Sequence, residues 1–279
     1  MKIGIALPNT VPGATGVLQI QWAVRAEECG FSSVAATHRL CYAGHEPLAV
    51  LAAAAGATSR IGLSTNILVA PLTTAAVLAK EAATVASLSG DRFTLGLGPG
   101  VRADDFQAAG RDFASRAAVF DSQLAELSRL RAKGDTGELP SAVPALLVGG
   151  VSRAAVRRTV RWADGWTAPG LEPERVAPWA EEVRTAWGRA GRAGRPRLVA
   201  LSRFWLGEDV AEEAAAFVRQ YFGVLGHEAE SFVAKTPRVP EDIRDQVDRL
   251  AAAGFDEVVF HPTAARITQV DRLAEVLLS

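Results

Sequence analysis

The chain has 279 residues, 49% of them hydrophobic, with a net charge of −1. That length and apolar content suit one large domain with a sizeable core. The near-zero charge excludes a broad electrostatic pull towards nucleic acid or an anionic membrane surface. Cys29 and Cys41 are the only cysteines, so neither a disulfide scaffold nor a zinc site is expected, and no metal is assigned. Of the 30 basic residues 26 are arginine, which reflects genome composition more than function. No segment approaches the roughly 18 uninterrupted apolar residues of a membrane span. The chain opens directly in a strand without a charged-then-apolar leader, so a reduced, cytoplasmic protein is expected.

In chain order, Lys2 to Leu7 reads as the first strand, and Val17 to Cys29 as a helix stopped by Gly30. Ser33 to Thr37 is the second strand and Glu46 to Ala57 the next helix. Arg60 to Gly100 is the most informative stretch. An apolar run from Ile61 to Ala70 ends at Pro71, and Thr73 or Thr74 can cap a helix over Ala75 to Leu88. Ser89-Gly90-Asp91 stops that helix, and Phe93 to Leu97 makes a short buried strand. Gly96, Gly98 and Gly100 let the backbone pass close to something. A long helix over Phe113 to Ala132 leads through a short link at Gly134 to Glu138 to the fifth strand, Pro144 to Val148. Helix Ser152 to Trp162 precedes the sixth strand, Gly165 to Ala168. Pro173 to Trp187 is helical, and a basic turn then enters the seventh strand, Leu198 to Leu206. Val210 to Tyr221 and Pro240 to Ala253 read as helices with a less regular stretch between them. Asp256 to Phe260 is the eighth strand, and Ile267 to Leu278 closes the chain.

Buried strands joined by crossover helices imply a parallel sheet whose functional edge lies at the strand C-termini. Eight alternations predict an α/β fold, a (β/α)8 TIM barrel, in a single domain over residues 1–279. The edge collects several groups. Gly149-Gly150-Val151-Ser152 lies between a buried strand and a helix N-terminus, where free N–H groups and the helix dipole favour a phosphate. The plainer reading is a tight turn with Ser152 as the N-cap. His38 and Arg39 follow the second strand, and His261 ends the eighth. A lone histidine is more often structural than catalytic; His45 and His227 fall in loops and take no role. Gly-Leu-Gly-Pro-Gly at residues 96–100 lacks the spacing of a dinucleotide-binding turn.

The same stretch, RIGLSTNILVAPLTTAAVLAKEAATVASLSGDRFTLGLGPG, resembles the signature of the luciferase-like flavin- and deazaflavin-dependent oxidoreductases, which are TIM barrels. KIGIALPN, GFSSVAATHRL, PALLVGGVSRAAVRRTVRWADGW and GFDEVVFHPT extend the resemblance over most of the chain in the right order. It implies a flavin-type cofactor at the C-terminal face, with its phosphate near Gly149, Gly150, Val151 and Ser152. It implies a bulge with a non-proline cis peptide at Asn66–Ile67 behind the cofactor ring, with Thr65, Asn66, Gly98 and Gly100 converging there. Family members carry an acidic residue and then histidine where this chain has His38 and Arg39. Either His38 takes the proton role, or Arg39 binds an anionic group, or that chemistry is absent. Val101 stands where the sugar-phosphate dehydrogenases of the family have an acid, which disfavours that reaction. Arg102 beside it can meet a phosphate, an anionic cofactor tail or solvent.

The expected activity is hydride transfer between coenzyme F-420 and a small organic substrate. An FMN-dependent monooxygenase is the alternative, and a barrel that has lost catalysis is the second. Apolar helix faces on the barrel exterior leave a homodimer open.

Overall fold

The computed structural model describes residues 1–133, 144–223 and 229–279. The link at Gly134 to Glu138 and His227 lie outside them. Among the described residues, nine parallel strands form one closed sheet: β1 (Lys2–Ala6), β2 (Ser33–Ala36), β3 (Gly62–Thr65), β4 (Leu68–Val69), β5 (Phe93–Gly98), β6 (Ala145–Gly149), β7 (Gly165–Ala168), β8 (Arg197–Phe204) and β9 (Glu257–Pro262). β1 pairs with both β2 and β9, and β3 also pairs with β5, so the sheet meets itself. β3 and β4 are two halves of one stave, which leaves the eight staves of a TIM barrel.

The split falls inside the apolar run from Ile61 to Ala70, where the resemblance implies a bulge. Ser64 faces Thr94 and Leu68 faces Leu97, four steps along one strand against three along the other. The extra residue makes a bulge over Thr65 to Ile67. The Asn66–Ile67 peptide bond is cis.

The connecting helices are α1 (Gly16–Glu28), α2 (Pro47–Ala57), α3 (Ala75–Leu88), α4 (Ala103–Ala108), α5 (Arg116–Lys133), α6 (Arg153–Trp162), α7 (Pro173–Arg189), α8 (Ala211–Phe222), α9 (Ala229–Lys235), α10 (Pro240–Ala252) and α11 (Thr268–Leu277). Their starts follow from capping chemistry. Thr74 accepts from the Val77 amide at 3.3 Å and Ser152 from the Ala155 amide at 3.1 Å, while Pro173 and Pro240 occupy first turns. α4 and α9 are too short to show a helical period in the sequence.

Trp22, Leu51, Leu78, Phe120 and Trp166 are fully buried between helices and sheet. Each such side chain stabilises the fold by about 1.5–3 kcal/mol. Ala6, Ala35, Leu147, Val199 and Val259 form a separate cluster, which strand alternation places inside the barrel. Below it the lumen is closed by an ion pair. Arg197 Nη2 donates to Glu257 Oε2 at 2.6 Å, and Arg197 Nη1 donates to Thr94 Oγ1 at 3.1 Å. Ser33 and Ser32 hydroxyls donate to Glu257 Oε1 at 2.6 and 2.7 Å. Burial opposes ionisation of Glu257, but the Ser33 hydroxyl, the Arg197 charge and the Ser32 hydroxyl outweigh it and hold the carboxyl below its ordinary value. No helix among the described residues is long and apolar enough to cross a membrane. Cys29 is half-buried and Cys41 exposed; both are free thiols.

Candidate functional site

The bulge directs Ile67 into the upper lumen. A Cβ on Gly98 would collide with Ile67 Cδ1, and one on Gly149 would lie 3.1 Å from Ile67 Cγ2. The half-buried Ile67 side chain therefore lies across the ends of β5 and β6 as an apolar floor. The close approach foreseen for the glycines is thus to the chain's own bulge. Gly96 likewise makes room for the Thr65 carbonyl. Gly100, at φ +78°, faces elsewhere: a Cβ there would meet Val69 Cγ1 at 2.6 Å and Phe106 Cε2 at 2.9 Å.

Thr65 is buried, and its hydroxyl both donates to the Gly96 carbonyl at 2.8 Å and accepts from the Gly96 amide at 2.9 Å. That ties β3 to β5 and leaves the hydroxyl no proton to donate to a ligand. Asn66 Oδ1 accepts from Thr167 Oγ1 at 3.1 Å, and the Asn66 carbonyl accepts from Thr37 Oγ1 at 3.1 Å. The Asn66 side-chain NH2 has no hydrogen-bond partner among the described residues. Asn9 braces the rim behind Thr37, donating to its carbonyl at 2.8 Å and accepting from its amide at 3.0 Å.

His38 is held on the backbone of the bulge. Its amide donates to the Ile67 carbonyl at 3.1 Å, and its ring Nδ1 accepts from the Val69 amide at 3.3 Å. Burial lowers its pKa, with Glu46 and Asp105 pulling the other way. The ring is therefore neutral near pH 7, and the hydrogen bond at Nδ1 assigns the proton to Nε2. Arg39 finds its counter-charge within the chain. It pairs with buried Asp105 at 2.9 Å and with Asp104 at 3.4 Å. Asp105 also accepts from the Leu40 and Cys41 amides, at 2.9 and 2.8 Å. Of the Arg39 guanidinium nitrogens, Nη1 is buried without a partner among the described residues.

On the phosphate side, Gly150 has φ +121°, a value that favours glycine, and its carbonyl accepts from Trp166 Nε1 at 2.8 Å. Ser152 Oγ caps α6, as the plainer reading has it, and Val151 packs against the core. Val101 is 85% exposed. Arg102 turns inward; its Nη2 donates to the Tyr221 carbonyl, and its guanidinium lies 5.2 Å from the Tyr221 ring centroid.

Sequence reading missed the other wall of the mouth. The end of α8 brings Tyr221 over the lumen, where Arg39, Arg102 and Arg203 all lie within 5.6 Å of its ring centroid. Arg203 had a detectable signal: Arg197, Leu201 and Arg203 fall at alternate positions of a buried strand. His261 completes the ring of groups. Its Nδ1 lies 3.4 Å from Thr37 Oγ1, and its Nε2 is buried without a partner. Burial, with the Arg203 charge nearby, pushes its pKa down to about 3.

The arrangement fits a flat ring over a phosphate arm in three respects: the apolar floor at Ile67, unpartnered polar atoms at the mouth (Arg39 Nη1, Tyr42 Oη, His261 Nε2), and a glycine turn entering α6.

A family model described as luciferase-like monooxygenase matches residues 1–257. Uncharacterized proteins of Mycobacterium tuberculosis and Mycobacterium bovis are each 32% identical over 159 residues, covering 51% of this chain and 54% of theirs. The chain thus spans about half the length of the curated relatives it matches. Among solved structures, an F-420-dependent secondary alcohol dehydrogenase bound to an F-420-acetone adduct is 16% identical with a TM-score of 0.82, over 99% of this chain and 98% of that one. A monooxygenase from Streptomyces bottropensis is 23% identical with a TM-score of 0.76, over 100% and 99%. A coenzyme F-420-dependent tetrahydromethanopterin reductase from Methanopyrus kandleri is 17% identical with a TM-score of 0.75, over 99% and 98%.

Proposed function

This chain belongs to the luciferase-like monooxygenase family, and we propose that it is an oxidoreductase, one barrel domain over residues 1–279, that takes coenzyme F-420 at its mouth. It would pass hydride between F-420 and a small organic substrate. The observation that carries this reading is the Ile67 floor across Gly98 and Gly149. When bound, the deazaflavin supplies the hydride-carrying centre. The chain supplies orientation and a proton. Ile67 would give the ring an apolar floor and exclude water there. Asn66 would offer its side-chain NH2 to the ring's polar edge. Gly149, Gly150 and the amides entering α6 would hold the phosphate. Ser152, already the N-cap, contributes by fixing that turn. His38, anchored through Nδ1, presents a neutral Nε2–H with which to hold or move a proton at the substrate. The likeness to the Streptomyces monooxygenase favours a second reading, an FMN-dependent monooxygenase.

Titration of the purified protein with F-420 and with FMN tests the choice. Quenching of F-420 fluorescence at micromolar protein supports the first reading. Uptake of FMN alone moves the assignment to the second. Binding of neither points to a barrel without catalysis. In the loaded enzyme, His38→Ala should lower turnover about 10²–10⁴-fold while leaving cofactor affinity nearly intact. Arg39→Ala should act through the fold instead, by releasing Asp105 from its buried pair. Unchanged turnover in His38→Ala would remove that residue from the mechanism.

A further inference from the structure

A cavity of about 380 Å3 opens beyond the C-terminal ends of β7 and β8, bounded by the loop after β7 and by α9 and α10. Its wall carries three cations, Arg175, Arg203 and Lys235, against one carboxylate, Glu172. Glu172 is already engaged, pairing with Lys235 and lying 3.9 Å from Arg175. Arg203 has no carboxylate partner among the described residues. It is backed by aromatic faces instead, 5.3 Å from the Tyr221 centroid and 4.5 Å from that of Phe222. The loop after β7 leaves it room: a Cβ on Gly170 would sit 2.7 Å from Arg203 Nη1.

The neighbouring charges add to the imbalance. Of the three guanidiniums around Tyr221, Arg39 alone lies within ion-pair distance of a carboxylate among the described residues, pairing with Asp104 and Asp105, whose charges also reach Arg102. Burial, reinforced by the charge of Arg102, lowers the pKa of Arg203 despite the balancing effect of Tyr221. A partly desolvated cation without a counter-charge is costly, and a planar guanidinium matches a carboxylate or phosphate with two parallel hydrogen bonds.

We propose that this cavity is an oxyanion subsite anchored by Arg203, and that it takes a carboxylate or phosphate group of a small-molecule ligand. Assigning that group to the substrate, which makes the substrate class anionic, rests on the oxidoreductase reading above; the anion site itself does not.

The test is calorimetric titration of the cofactor-free protein with inorganic phosphate and with malonate, at constant ionic strength in chloride. The wild-type protein should bind one or both in preference to chloride, and Arg203→Gln should weaken that binding at least about tenfold, as loss of a charge-assisted hydrogen bond requires. Arg203→Lys, which keeps the charge and loses the fork, should weaken it too, and carries the test if the glutamine variant does not fold. No preference over chloride, or equal affinity in both variants, overturns the proposal. A second arm measures F-420 and FMN affinity in the same proteins. Unchanged cofactor affinity in Arg203→Gln assigns the anion to the substrate. Weakened cofactor affinity, with competition by phosphate, assigns it to the cofactor tail. A protein that binds the anion through Arg203 but neither cofactor keeps the subsite and defeats the oxidoreductase reading; one that binds cofactor but no anion does the reverse.

Discussion

The two ends of the barrel lumen treat the same residue type in opposite ways. β8 carries Arg197 at its lower end and Arg203 at its upper end, six residues apart on one face of the strand. Arg197 meets Glu257 and Thr94, and two serines complete the carboxylate's bonding. Arg203 meets aromatic rings and a second arginine, beside buried polar atoms that lack partners. A TIM barrel places stability at the N-terminal face and chemistry at the C-terminal face. Here that division is visible as electrostatic closure below and electrostatic imbalance above.

The largest effect should come from breaking the closed end. Glu257→Ala removes the partner of Arg197 and two serine hydroxyls at a carboxylate that is 2% exposed. We expect a loss of about 3 kcal/mol in urea unfolding, the upper end of the scale for leaving buried hydrogen-bonding groups without their partner, since Arg197 itself is 39% exposed. Because the folded pKa of Glu257 lies below its unfolded value, the pair's contribution is complete above the ordinary carboxylate range and is lost as pH falls through the folded value. A variant as stable as wild type at pH 7 would break the comparison at its lower end.

His261 sharpens the comparison at the upper end. Its folded pKa is about 3, against 6.5 ordinarily. Between those values the unfolded chain binds a proton that the folded chain refuses, so stability falls as pH drops, by at most about 1.4 kcal/mol per pH unit. From pH 6.5 to 5 that amounts to roughly 2 kcal/mol. His261→Asn should flatten the dependence of the urea midpoint on pH over that interval. Parallel curves for the two proteins would show that His261 is not held neutral.

The frame was more legible in the sequence than the mouth, for a physical reason. Strand and helix signals are local: the run ending at Pro71, the cap at Thr74 and the stop at Gly90 each appear where the structure has them. The position of the bulge came from resemblance, since nothing in the apolar run from Ile61 to Ala70 marks a break at Asn66. The mouth is assembled from distant pieces. Arg39 reads as a free cation until α4, six residues long, brings Asp104 and Asp105 to it. Gly100 reads as a ligand contact until the same helix supplies Phe106. Tyr221 sits at the end of a helix whose aim over the lumen no local period encodes. Arg203 alone left a trace, as a charge on the inward register of a buried strand.

The smallest effect tests the imbalance itself. In the absence of an added anion, Arg203→Gln should change stability by less than about 1 kcal/mol in either direction, because it removes a cation that Arg102 repels and no carboxylate holds. Arg197→Gln, at the other end of the same strand, should cost about 1–3 kcal/mol, since it leaves the Glu257 carboxylate buried with only serine donors. The pair of variants is best read together in chloride and again in phosphate. Phosphate should raise the midpoint of wild type and of Arg197→Gln, because binding to the folded state alone stabilises it. It should leave Arg203→Gln where it was. If both arginines cost the same in chloride, Arg203 is a structural cation like Arg197, and the asymmetry between the two ends of the barrel carries no functional meaning.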